Sequence, residues 1–248
     1  MGPITIHLYG LTFALAVFGG FFLAQRRAKI YKIKKEEIEN LFLVALPTGI
    51  LFARLYHVLD YFPYYKQNPS EILAVWRGGL GILGGIFGGV LGVWLYTKVK
   101  KLNFLKICDL LVPSLALGQA IGRWGNFFNQ EAFGPPTNLP WKIFISSENR
   151  PAIWSEFAYF HPLFLYESIL NFLNFLILIS VGEKLKQYSP GKITALYFLN
   201  YGIIRFFIEF LRWDTAQIEG IKVAHILSLG FIFGGLFFLR RSGIIKGR

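Results

Sequence analysis

Apolar runs of roughly twenty residues, the length a helix needs to cross the hydrocarbon core of a bilayer, alternate with short basic or aromatic breaks along the whole chain. The runs predict spans near 4–24, 40–60, 76–97, 104–121, 162–182, 193–212 and 222–240. The first two are the cleanest, and the fourth and sixth carry polar residues. The longest stretch between spans, 122–161, is rich in Asn, Pro and aromatic residues. A structureless loop of that length is unusual, and its Trp141, Phe144, Trp154 and Phe157 predict a packed cap at the membrane surface. The expected architecture is therefore all-α: one integral membrane domain over 1–248, with seven transmembrane helices and a cap over 122–161 between the fourth and fifth.

Composition agrees. Of the 248 residues 54% are hydrophobic and 16% charged, whereas soluble domains carry about 25% charged residues. Disorder, collagen, coiled coil and a disulfide scaffold are excluded together. The net charge of +12 raises nucleic acid as a partner, but the cations sit in short clusters between apolar runs, so none is expected. The breaks 25–39, 98–106 and 183–192 and the tail from Arg240 hold 17 of the 26 Lys and Arg, against 7 in the alternate breaks. The positive-inside bias then predicts an N-terminus outside and a C-terminus in the cytoplasm, with an outer-face cap. No Lys or Arg precedes the first apolar run, which predicts a retained helix rather than a cleaved signal. Cys108, the single cysteine, reads as packing, and His7 and His225 as interfacial or packing residues.

Within the third span, Gly81, Gly85 and Gly89 repeat every four residues, as do Gly84, Gly88 and Gly92. Such rows let helix backbones approach closely in lipid. They also suit clearance for a bulky ligand, which makes Gly84 and Gly85 candidates for a substrate site. Ionisable residues at membrane depth mark interiors or cavities. Arg54 lies in the second span with His57 one turn on, and the fifth span carries Glu167, Asn171 and Asn174 on one face. In the sixth, Tyr197, Tyr201, Arg205 and Glu209 follow at i+4, with Arg212 three later. A buried ion-pair network explains any one of these pairs; polar stripes on three helices favour a site. Arginines gathered near the outer leaflet, Arg123 included, suit a phosphate, which guanidinium grips bidentately.

The segment from Gly122 to Gly134, GRWGNFFNQEAFG, resembles the signature of the prolipoprotein diacylglyceryl transferase family, G-R-x-G-N-F-x-N-x-E-x-x-G, and matches it at every defined position. The resemblance extends along nearly the whole chain. It takes in Tyr9-Gly10, Arg54, Val75-Trp76 before the glycine run, the PTNLPW segment from Pro136, His161-Pro162 with Leu165-Tyr166-Glu167, and Tyr201 to Arg212. It implies a seven-spanning enzyme of the bacterial cytoplasmic (inner) membrane with its site towards the outer leaflet. Such enzymes transfer the diacylglyceryl group of phosphatidylglycerol to the lipobox cysteine of a prolipoprotein, forming a thioether and releasing glycerol phosphate.

By matched position, the resemblance implies that Arg123 and Arg205 grip the phosphate. Asn126, Asn129 and Glu131 shape the headgroup site, and Tyr9 and Tyr201 donate hydrogen bonds or handle a proton. Gly134, Arg54, His57, Glu167, Glu209 and Arg212 join the substrate-binding set. No cofactor is implied, and the four histidines and one cysteine show no metal-ligand spacing. The sequence departs from the family at Leu83, where a histidine is frequent in the glycine run; leucine takes no proton. Tyr9, His57, Glu131 and Tyr201 stand as alternative bases, or the arginine field alone makes the thiolate. Gln130 stands where Gly is common, and Pro135 where Arg is frequent. Two rival classes share parts of the pattern. An anion transporter also buries arginines, although it usually shows internal repeats and a midplane site. A relative that binds lipid or prolipoprotein without turnover fits Leu83.

Overall fold

The structure, a computed structural model, describes residues 8–185 and 189–241; His7, the start of the first span and the cations at 186, 246 and 248 lie outside the described residues. Eight α-helices are formed there: α1 Leu8–Ala28, α2 Lys35–Asp60, the short α3 Phe62–Gln67, α4 Ile82–Val99, α5 Phe104–Phe128, α6 Leu163–Leu185, α7 Lys192–Glu209 and α8 Val223–Arg241. Six of them are long and apolar enough to cross a membrane; α7, with Lys192, Asn200, Arg205 and Glu209, is not among these. Besides five three-residue 3-10 turns there are two antiparallel pairs of two-residue strands: β1 Ile143–Phe144 with β2 Tyr159–Phe160, and β3 Gln217–Ile218 with β4 Ile221–Lys222.

Two helix boundaries differ from the sequence expectation for identifiable reasons. The fourth apolar run was expected to end at 121, but α5 continues to Phe128, so half of the signature is helix rather than loop. It stops in a Schellman turn: the Glu131 amide donates to Asn126 O (3.0 Å) and the Gln130 amide to Phe127 O (3.1 Å). The turn needs a left-handed residue, and Gln130 adopts φ 50°. At the other boundary, α4 starts at Ile82 rather than 76, because Gly78 and Gly79 take φ 84° and 71° and break the helix.

Contacts divide the chain into two compact units, one of 1–23 with 108–248 and one of 24–107. In the second unit, α4 lies against α2 through the row Gly84, Gly88 and Gly92. A Cβ on Gly88 would sit 2.5 Å from the Thr48 carbonyl oxygen, and one on Gly84 would collide with that of Phe52. Packing therefore claims this row and leaves Gly84 no clearance for a ligand. Gly85 makes ordinary contact with Ala53, and a Cβ on Gly89 meets nothing within 4 Å.

In the first unit, glycines that the sequence reading passed over do the same work. Gly202 of α7 faces Ser228 O and Ile232, and Gly235 of α8 faces Ala195 O and Leu199. The segment between α5 and α6 is packed, but around Phe133, Ile145 and Phe160. Of the four aromatics expected there only Trp154 joins that cluster; Trp141, Phe144 and Phe157 are more than half exposed. The β1–β2 pairing turns alternate side chains outward, which puts Phe144 and Tyr159 on the open face.

Two neighbouring glycines separate packing from helix propensity. Gly88→Ala lowers the unfolding midpoint in detergent, since overpacking costs about 1–3 kcal/mol. Gly89→Ala leaves the midpoint level or higher, because alanine is the better helix former. A thermal melt of both variants decides it, and equal midpoints would reject the packing role.

Candidate active site

The first unit gathers four charged side chains from three helices. Glu167, in the first turns of α6, pairs with the Arg123 Nη2 of α5 and lies 3.7 Å from the Arg205 Nη1 of α7. Arg205 Nη2 also pairs with Glu209 at 2.7 Å, one turn along the same helix. The carboxylates are hidden, with 4% and 0% of their side chains exposed, while Arg123 and Arg205 keep 26% and 17%. The negative groups are thus counterions to two arginines whose side chains keep partial exposure, although Arg205 Nη1 is itself buried without a hydrogen-bond partner. Buried charges are tolerable only when paired, and here each has its partner. Below Glu167, the Asn171 amide bonds the Glu167 carbonyl (2.8 Å) and Ser168 bonds Ala120 O (2.8 Å), tying α6 to itself and to α5.

The signature folds around this cluster. Arg123 Nη1 donates to Asn126 Oδ1 (3.3 Å), Asn126 Nδ2 to Glu131 Oε1 (2.9 Å), and Asn129 Nδ2 to the same oxygen (3.4 Å). Glu131 therefore organises the two asparagines. Gln130 spends its side chain on Ser146, accepting from its amide (2.6 Å) and its hydroxyl (2.8 Å). Those bonds offset the backbone strain of its left-handed conformation. Gly125 and Gly134 are required by close approach: a Cβ would lie 2.8 Å from the Tyr9 ring and from His161 Cβ respectively. Gly125 seats the Tyr9 ring of α1 beside the signature, and Gly134 seats the segment on the entry to α6.

Other expected site residues have different surroundings. Tyr201 stacks on Tyr197 (5.7 Å between centroids, 10° between planes) and meets Phe231 edge-on. Arg212 lies beyond the end of α7 and bonds Asp214 (3.3 Å). Lys222 of β4 caps that end, donating to the carbonyls of Glu209 (2.7 Å) and Arg212. Arg54 and His57 belong to the other compact unit. There the Arg54 guanidinium holds four carbonyls, those of Glu71 (2.5 Å), Ile72 (2.8 Å), Gly78 (2.7 Å) and Gly79 (2.9 Å). His57 packs on Tyr61 (4.6 Å), and Gly79 fits between His57 and Arg54 only because it lacks a Cβ.

One polar chain was not anticipated. Trp141 Nε1 donates to Tyr166 Oη (2.7 Å), which lies 3.2 Å from His161 Nδ1. The hydroxyl thus bridges the indole and the imidazole. Burial favours the neutral imidazole, pushing the His161 pKa below the ordinary histidine value. Tyr166 was visible in the sequence beside Glu167; its bond to Trp141, 25 residues away, was not.

The family model for prolipoprotein diacylglyceryl transferase matches residues 1–241. The chain belongs to this family. Relatives named phosphatidylglycerol–prolipoprotein diacylglyceryl transferase agree with it over nearly the whole length. That of Thermosynechococcus vestitus is 42% identical over 229 residues, 92% of this chain and 85% of its own. That of Acaryochloris marina is 41% identical over 248 residues, 98% and 90% of the two chains. A third, from Finegoldia magna, is 42% identical over 233 residues, 94% and 90%. The family resemblance read from the signature thus holds for the whole transferase chain, with the signature itself wrapped around Arg123 and Glu131.

The neutral His161 has a pH signature. A histidine whose folded pKa is depressed contributes stability that is complete above about pH 6.5, its unfolded value. That contribution is lost as pH falls through the folded value. The unfolding midpoint is expected to drop between pH 7.5 and 5.5, and to drop less in His161→Gln. Parallel drops in melts at the two pH values would remove His161 as a contributor.

Proposed function

We propose that this chain transfers the diacylglyceryl group of phosphatidylglycerol to the lipobox cysteine of prolipoproteins, releasing glycerol phosphate. The observation that carries the reading is the pair of partly exposed arginines, Arg123 and Arg205, held by buried carboxylates. It is joined by the family's membership and by its relatives' names. Two such donors suit the singly charged phosphodiester of the lipid and, better still, the phosphate monoester that leaves. A sulfur–carbon bond forms as the carbon–oxygen bond to phosphate breaks, and the electron pair departs on the phosphate oxygen. Donors aimed at that developing charge are the largest single contribution such a site makes. A cysteine of ordinary pKa, about 8.5, is only a few per cent thiolate at neutral pH. The same cationic edges favour the thiolate, so Leu83 in place of a histidine leaves the mechanism workable.

Roles follow from the surroundings. Asn126 and Asn129, oriented by Glu131, face the headgroup, and Tyr9 borders it from α1. Glu167 and Glu209 position the arginines and do not touch substrate. Tyr201 is a wall of the site. Arg54 holds the glycine loop rather than phosphate, since its donors are engaged by four carbonyls. The reading includes seven spans, with α7 crossing among the others, an N-terminus outside, and the 122–161 segment at the outer face of the bacterial cytoplasmic membrane. The distribution of 17 basic residues against 7 supports that orientation.

Glycerol phosphate release in phosphatidylglycerol micelles tests the function. Release is expected with a lipobox peptide and not with its Cys→Ser version; no release with either, from folded protein, refutes it. In the same assay Arg123→Ala and Arg205→Lys each lose about 100-fold or more, the scale of a lost transition-state donor. Lysine is chosen at 205 because alanine would strand the buried Glu209. Leu83→Ala changes the rate only modestly, and near-normal rates in either arginine variant would remove that residue from the site.

A further inference from the structure

The second compact unit contains a guanidinium for which the transferase reaction has no use. Arg27, in the last turn of α1, is 3% exposed. Its Nη2 donates to Tyr31 Oη at 3.2 Å, and the Tyr31 ring covers the group at 5.6 Å. Its Nε and Nη1 are buried and have no hydrogen-bond partner. Arginine cannot shed its proton, and a buried cation without a counterion costs several kcal/mol.

The carboxylates nearest in sequence are occupied elsewhere. Glu37 accepts from Tyr96 Oη (2.6 Å), Glu39 accepts from Gln25 (2.8 Å), and Glu36 is exposed. Among the described residues Arg27 has no ion pair. The carbonyl end of α1 supplies only about half an elementary charge. The chain around Arg27 adds cations rather than anions: Arg26, Lys29, Lys32, Lys34 and Lys35 are all exposed. A tight turn fixes them, with Lys32 at φ 52° and the Ile33 amide on Ala28 O (3.0 Å).

We infer that Arg27 and the basic turn 26–35 bind the phosphate of an anionic phospholipid. Three observations point to lipid. The site lies at the end of a helix of 21 residues, which is where a spanning helix meets headgroups. A phosphate takes two donors from one guanidinium edge, and the unpartnered Nε lies on such an edge. Clusters of Lys and Arg at a helix end are attracted to anionic lipid surfaces. The bound lipid would be a resident of the leaflet beside the basic loops rather than a substrate.

The test uses the full chain in detergent free of anionic lipid, adding phosphatidic acid, phosphatidylcholine or inorganic phosphate and following the unfolding midpoint. Phosphatidic acid is expected to raise the wild-type midpoint by about 4 °C, as a native-state ligand does, with little change from the other two. In Arg27→Gln that rise disappears, while the lipid-free midpoint equals or exceeds wild type because an uncompensated charge is gone. Lys66→Gln, at an exposed cation outside the turn, keeps the rise. An undiminished rise in Arg27→Gln overturns the site, and an equal rise from inorganic phosphate overturns its assignment to lipid. If Arg27→Gln does not fold, Arg27→Lys retains the charge without the two-donor edge. Its rise is expected to be at most half of wild type, and a full rise refutes the proposal.

Discussion

Glu167 is the constraint on which the first compact unit depends. One buried carboxylate faces arginines from both neighbouring helices, so α5, α6 and α7 are held in register by a charge none of them balances alone. Remove it and Arg123 loses its one ion pair among the described residues, in a setting where a bare charge costs several kcal/mol, while Arg205 keeps Glu209. The pairing also sets which faces of the arginines remain available. The carboxylates are sealed, whereas the Arg123 and Arg205 side chains keep 26% and 17% of their surface exposed. The signature loop then closes on Arg123 through Asn126 and Glu131, so headgroup chemistry and helix packing share the same atoms.

Glycine serves three different ends along the chain. In the α4 row it removes side chains so that the backbone of α2 can approach, and in α7 and α8 Gly202 and Gly235 do the same across a hairpin. At Gly78 and Gly79 it permits backbone angles that end one segment and begin a helix. At Gly134 it admits His161 and Leu163 to within contact of the main chain. One residue type therefore carries no single meaning; its neighbours decide.

Much of this was legible in the sequence. Run length located the long helices, and i+4 spacing placed Arg205 and Glu209 on one face where they pair. The signature alone pointed to the family that the match over residues 1–241 shows. What escaped depended on partners far apart in the chain. Residues 122–128 are not apolar enough to extend a span by pattern, and the turn that ends α5 rests on the backbone angle of Gln130. Arg54 reads in sequence as an intramembrane ligand site, yet four carbonyls 17 to 25 residues away take its donors. The cap aromatics could be counted but not sorted into inside and outside, because β1–β2 register decides that.

The clasp at the end of α7 bears on how the chain is made. On the seven-span reading, α7 is the crossing helix that length and composition alone do not mark as a span, and it carries Arg205, whose insertion alone costs about 2.5–3.5 kcal/mol. Lys222, from the strand leading into α8, closes its last carbonyls, and Gly202 and Gly235 mate the two helices. A translocon presented with α7 alone would receive a poor substrate. Presented with α7 and α8 together, it receives a hairpin already fastened at its turn, with α6 waiting to neutralise the arginine. On that reading, integration of this region would be a pairwise event, with α7 carried into the lipid by its packing on α8 as well as by its own hydrophobicity.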